Sequence, residues 1–143
     1  MIAVDTNVLI HAHREELSRH KASLNALRRL AEGDIPWGLP VFVIGEFIRV
    51  TTHPRVLSPP STISQACEAV DALLASPTCR LLFPGARFVS LLAKVCRDHD
   101  LLGNRVFDAQ IAAVCLEQGA TELLTFDRDF DRIHELRVIK PDN

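Results

Sequence analysis

No apolar stretch of the sequence is long enough to cross a membrane. The longest, around Leu39 to Ile48, is interrupted by Pro40, Gly45 and Glu46, whereas a spanning helix needs about 20 predominantly apolar residues. The opening, Met1-Ile2-Ala3-Val4-Asp5, has no basic segment ahead of an apolar one. A secretory signal is therefore not expected, and a cytoplasmic location is. Lysine is scarce: Lys21, Lys94 and Lys140 are the only three, and the remaining basic charge is arginine. The formal net charge is −2, so no global basic field draws in nucleic acid. An RNA partner would need local arginine patches or bound metal to offset the acids. Arg14, Arg49, Arg105 and Arg128 are candidates for phosphate contact, although surface arginine is ordinarily just solvated.

Several catalytic signatures are also missing. None of the four cysteines, Cys67, Cys79, Cys96 and Cys115, forms a CxxC pair or has a histidine at ligand spacing. That excludes a legible zinc site and a disulfide framework. Cys67, Cys96 and Cys115 fall on apolar stretches and are expected to be small buried hydrophobes. His11, His13, His20, His53, His99 and His134 form no set and are expected mostly at the surface. No Ser-His-Asp or Cys-His arrangement is legible, and the phosphate-loop pattern GxxxxGK[ST] does not occur.

What remains is an ordinary soluble composition. With 143 residues, 48% apolar and 24% charged, the chain has the material for a single domain, residues 1–143, around one core. Ile2-Ala3-Val4, Trp37-Gly38-Leu39, Leu81-Leu82-Phe83, Leu123 to Phe126 and Val138-Ile139 read as short buried strands. Between them lie helical patterns: Asn7 to His13, a leucine series ending at Gly33, and Val41 to Val50 behind Pro40. A further helix follows the capping box Thr62-Ile63-Ser64-Gln65, another runs Phe88 to Cys96, and the last runs Val106 to Gln118, with Asn104 as its cap. Strands alternating with helices imply an α/β fold with a parallel sheet covered on both faces.

Four acids stand where acids are hardest to explain. Asp5 and Asp127 each follow a strand directly, and open α/β sheets bind ligands at the carboxyl ends of their strands. If the first and fourth strands are neighbours, the two meet there, with Asn7 and Thr125 beside them. Glu46 sits in an apolar stretch on which a solvated face is hard to draw, and buried glutamate is costly without a partner. Asp108 opens a helix that continues Ala109, Ile111, Ala112, Ala113. Taken singly, each has an ordinary explanation: loop acids, an arginine pair, or a helix N-terminal acid favoured by the macrodipole. Asp129 and Asp131 read as a solvated polar turn.

Together, four converging carboxylates would repel and raise each other's pKa values. A divalent cation removes that penalty, and an oxygen-only ligand set favours Mg2+ or Mn2+ over zinc. Such ions activate water and stabilise displacement at phosphorus. The residues alone thus point to metal-dependent phosphate or phosphodiester chemistry, without selecting RNA.

Val4-Asp5-Thr6-Asn7-Val8-Leu9-Ile10 resembles the opening motif of PIN domains, especially VapC-type toxins of toxin–antitoxin pairs. Trp37 to Pro40 with Glu46 to Val50, then Gly103 to Ala113, then Leu124 to Phe130, resemble the remaining three acidic motifs in order and spacing. The resemblance covers nearly the whole chain. It implies a three-layer α/β/α fold with a central parallel sheet and Mg2+ or Mn2+ held by Asp5 and Asp108. Glu46 and Asp127 would complete the site as ligands or by positioning water. Thr125 would orient the site, Asn7 would hydrogen-bond its carboxylates, and Asp129 would contribute at the edge. It further implies an endoribonuclease acting on RNA, a homodimer, and a cognate antitoxin reaching an arginine into the acidic groove. Two competing readings are a non-catalytic RNA- or antitoxin-binding module and a phosphotransfer domain with an aspartate nucleophile. Four intact acids argue against the first, and a trapped aspartyl phosphate would mark the second.

Overall fold

The short apolar runs form strands that are sealed in the interior: Ala3, Val4, Leu39 and Leu123 are completely buried. In this computed structural model, which describes residues 1–142, β1 (Ile2–Val4) leads into α1 (Thr6–His13) and α2 (His20–Glu32). β2 (Trp37–Pro40) is followed by α3 (Val41–Thr51) and α4 (Ile63–Leu74), and β3 (Cys79–Leu82) by α5 (Phe88–His99) and α6 (Arg105–Glu117). β4 (Glu122–Leu124), a 3-10 helix (Arg128–Arg132) and β5 (Arg137–Ile139) complete the order. Among the described residues the strands form a five-stranded sheet in the order β3-β2-β1-β4-β5. Every pairing in it is parallel.

Right-handed crossovers put β1-to-β2 and β2-to-β3 connections on one face and the β3-to-β4 connection on the other. The packing follows: α1 lies against α2 and α3, α3 lies against α4, and α5 pairs with α6. The result is the three-layer α/β/α arrangement around a parallel sheet that the sequence implies. Strand order reverses between β1 and β4, which pair in the register Ile2–Glu122, Ala3–Leu123 and Val4–Leu124. The first and fourth strands are therefore neighbours, with their carboxyl ends level.

Several boundaries differ from expectation. β3 spans Cys79–Leu82 rather than starting at Leu81, because its pairing with Trp37–Pro40 sets its extent. Phe83 falls beyond the strand and is exposed. β4 stops at Leu124, although the Thr125 N–H still donates to the Ile139 carbonyl at 2.9 Å. Asn104 makes no side-chain capping bond to α6, whereas Thr62 and Gln65 form the reciprocal capping box of α4. The polar turn after β4 is a 3-10 helix. Cys67 is exposed rather than buried. Among the histidines only His134 is exposed; the other five are half-buried. No helix among the described residues is long and apolar enough to cross a membrane.

Candidate active site

Asp5 leaves β1 and begins α1. Its Oδ1 accepts the Thr6 N–H at 2.7 Å, and its own N–H donates to the Leu124 carbonyl at 3.0 Å. The carboxylate is thereby fixed at the point where strand order reverses. Thr125, fully buried, leaves β4 beside it. The Thr125 hydroxyl donates to Asp5 Oδ2 at 2.7 Å and accepts from Asn7 Nδ2 at 3.0 Å and from the Asp127 N–H at 3.0 Å. Asn7 Nδ2 also donates to Asp5 Oδ2 at 2.9 Å, while Asn7 Oδ1 accepts the Phe126 N–H at 3.2 Å. One closed network thus ties the ends of β1 and β4 together and orients Asp5 and Asp127.

Asp127 caps the 3-10 helix, its Oδ1 accepting the Asp129 N–H at 2.8 Å. That bond folds Asp129 back toward the site. Asp108 projects from the first turn of α6. One oxygen each from Asp108, Asp127 and Asp129 lies within 4.8 Å of the others. Of the four acids singled out in the sequence, Asp108 and Asp127 meet in this trio, whereas Asp5 and Glu46 border it. Asp129, read from sequence as a solvated turn acid with an edge role, is the third member. The Asp-x-Asp spacing immediately after a strand was the available signal, since an aspartate readily accepts the N–H two residues on.

Glu46 corrects a second expectation. It is 44% exposed in its side chain, not enclosed. Phe42, Gly45, Glu46 and Arg49 recur at one-turn spacing along α3 and line a groove. The missing side chain of Gly45 hides this wet stripe from a hydropathy reading. Glu46 still reaches the site, because its Oε2 accepts the Thr6 hydroxyl at 3.0 Å. Arg49 stands 3.9 Å from Glu46, and Arg105 stands 3.9 Å from Asp129. Both pairs are too long for hydrogen bonds, so the basic side chains offset the acids without locking them.

Burial and crowding raise the pKa values of two of the acids, Asp5 and Asp108. Burial raises Asp5 to a pKa of about 6; bonds from Thr125 and Thr6 oppose the rise, and Glu46 and Asp127 add to it. Burial also raises Asp108, to about 7, with further upward pressure from Asp127, Asp5, Asp129 and Glu46. The charges of the other four acids thus bear on Asp108, and those of Glu46 and Asp127 on Asp5. The donor set is carboxylate oxygen throughout, matching hard divalent cations. Its mutual repulsion is the kind a cation relieves. Asp108, Asp127 and Asp129 are the residues placed to hold such an ion directly, with Asp5 adjoining.

Three comparisons bear on this arrangement. The sequence model of the PIN domain matches residues 2–136. Over 141 residues the chain is 44% identical to Ribonuclease VapC43 of Mycobacterium tuberculosis, covering 99% of this chain and 95% of that protein. Ribonuclease VapC25 of the same organism is 34% identical over 141 residues, covering 99% of each. Among solved structures, VapBC2 of Rickettsia felis, bound to a DNA fragment from its promoter, superposes with a TM-score of 0.73 at 20% identity, covering 99% of this chain and 100% of that one. VapC20 of Mycobacterium tuberculosis, a sarcin-ricin loop cleaving toxin, gives 0.68 at 21% identity over 92% of this chain and 93% of that one.

Proposed function

The chain belongs to the PIN-domain family, and on that premise we propose that it is a Mg2+- or Mn2+-dependent endoribonuclease, the toxin of a toxin–antitoxin pair. The observation that carries the proposal is the convergence of Asp108, Asp127 and Asp129 oxygens within 4.8 Å, beside a buried Asp5 at the reversal of strand order. Its relatives named as ribonucleases, matched over nearly their whole length, support RNA as the substrate.

In this reading Asp5, Asp108, Asp127 and Asp129 form the anionic floor. A divalent ion bound there supplies charge neutralisation at the phosphate and lowers the pKa of water. Thr125 and Asn7 hold Asp5 oriented through their bonds to Oδ2. Glu46, half-exposed and anchored by Thr6, is the acid with access to solvent and accepts a proton from an incoming water. Arg49 and Arg105 flank the floor and face the phosphate backbone, holding the substrate in place without reading its sequence. A cognate antitoxin that inserts an arginine would neutralise the same carboxylates and exclude substrate. A homodimer and a cytoplasmic setting complete the proposal.

The test is cleavage of total cellular RNA by the purified chain with Mn2+ or Mg2+, followed by mapping of cut sites. Chelator should stop cleavage, and Asp5→Asn should slow it by at least about a hundredfold while leaving the fold intact. Cleavage that persists in chelator, or an Asp5→Asn protein as fast as the parent, would overturn the assignment.

A further inference from the structure

Asp108 faces the acidic pocket, and its chain neighbour Phe107 is turned about 100° away around α6. That turn places the Phe107 ring on the wall of a groove of about 660 Å3 between α3 and α6. The groove shares Glu46 and Asp108 with the acidic pocket, so a chain lying in one continues into the other. Its volume is in the range that encloses small-molecule ligands. Phe107 is 64% exposed, so a face of its ring is accessible from the groove. Phe42, on the opposite wall, is held by Phe88 with ring centroids 5.7 Å apart. Between them Gly45 leaves the α3 wall open, with nothing within 4 Å of the place a Cβ would occupy. The remaining polar lining is the amides of Asn104 and Gln110 and the guanidinium of Arg49, which is 66% exposed and only loosely paired with Glu46.

An accessible aromatic face, amides that donate and accept, and a loosely paired arginine beside the acidic pocket are what single-stranded nucleic acid requires. An arginine-bearing protein segment also offsets Glu46 and Asp108, but it needs neither the Phe107 face nor the two amides, whereas a nucleotide engages both with its base while its phosphate lies over the carboxylate floor, whose charge a divalent ion offsets. We propose, resting on the ribonuclease reading of the adjoining pocket, that this groove is the subsite for the base flanking the cleaved phosphodiester. Phe107 is its stacking face, the Asn104 and Gln110 amides meet the base edge, and Arg49 meets a neighbouring phosphate.

A coupling experiment between protein and RNA tests this. The parent, Phe107→Ala and Phe107→Trp are compared on a short single-stranded RNA carrying a mapped cut site, with a single abasic ribose moved through each position in turn. Both oligonucleotide binding, measured in an Asp5→Asn background, and cleavage by the otherwise unchanged proteins are followed. Phe107→Ala should weaken binding of intact RNA by roughly 5- to 150-fold, as loss of one stacked base does. Its effect should vanish on the RNA lacking the base beside the cut, and Phe107→Trp should restore binding. Equal loss on intact and abasic RNAs at every position overturns the subsite. So does a Phe107→Ala defect that accompanies dissociation of a dimer and disappears at high protein concentration. Robust cleavage without coupling rejects the subsite and leaves the ribonuclease reading standing. A parent protein that cuts no RNA at all overturns the ribonuclease reading and the subsite with it.

Discussion

Thr125 carries more of the site than its size suggests. Its hydroxyl donates to Asp5 and accepts from Asn7 and the Asp127 N–H, so all three of its hydrogen-bonding directions are used. Thr125→Val keeps the shape and removes every one of these bonds. The partners stay buried with fewer contacts, which costs about 1–3 kcal/mol in urea denaturation. Asp5 also loses the strongest influence that holds its pKa down, so its titration should move further upward, while Thr125→Ser should recover both. Unchanged stability in Thr125→Val would remove the network from the argument. Asp108 should behave in the opposite sense. Its carboxyl is pushed to about 7 by burial and four neighbouring acids, so its charge works against the metal-free fold. Asp108→Asn should raise the melting temperature without metal and shrink the rise that Mn2+ produces. Asp5, Asp108 and Asp127 were legible in sequence because each interrupts an apolar pattern. Asp129 was legible only through the resemblance, as an edge residue, since an acid in a polar turn carries no such contrast; the fold of the 3-10 helix brings it back over the site as a full member of the trio.

The same helix that presents Asp108 ends in an acid with the reverse effect. At the far end of α6, Glu117 accepts the Gly85 N–H through Oε2 and the Arg87 N–H through Oε1, both at 2.7 Å. These are unpaired donors just ahead of α5, where a negative charge also meets the favourable end of the helix dipole. Glu117→Ala should destabilise the protein by about 1–2 kcal/mol and leave the Mn2+ response intact; a stabilising outcome in chemical denaturation would contradict this. The sequence marks Asp108 but not the role of Glu117, because that role depends on the Gly85 and Arg87 amides it meets from a distant stretch of chain. At the level of elements the long amphipathic and capped helices were readable, as α4 and α5 show. Short elements were less so. β3 takes its limits from β2 rather than from its own apolar residues, and a single turn of 3-10 helix has no periodicity to detect. The groove face of α3 was hidden because Gly45 contributes no polarity and Phe42 looks like core.

For the molecule as a whole, a net charge of −2 conceals a strongly uneven distribution, and stability should report it through pH. Asp5 and Asp108 have pKa values of about 6 and about 7 in the folded chain, above the ~3.9 of an unfolded aspartate. Protonation therefore favours the folded state. Their stabilising effect is complete below about pH 4 and is lost as pH rises through 6 and 7. His11 and His13 act oppositely: burial lowers both below the ordinary value, so their contribution is present above about pH 6.5 and lost below it. Unfolded histidine is still half protonated at about pH 6.5, so this contribution keeps rising above that pH, but it is common to the parent and to Asp108→Asn and cancels in their difference. Between pH 6.5 and 8 the melting temperature of the metal-free parent should therefore fall relative to that of Asp108→Asn. Mn2+ competes with protons for the same oxygens, so its stabilisation should grow across the same window. At a hundredfold excess over its Kd the ion adds about 2.7 kcal/mol, which is on the order of 10 °C for a chain of this size. Thermal melts at pH 6.5, 7.2 and 8, with and without Mn2+, read both quantities. A metal-free difference between parent and Asp108→Asn that is flat with pH, together with an Mn2+ shift that does not grow, would mean that Asp108 is not crowded by its neighbours, and the cation-binding site would fall with it.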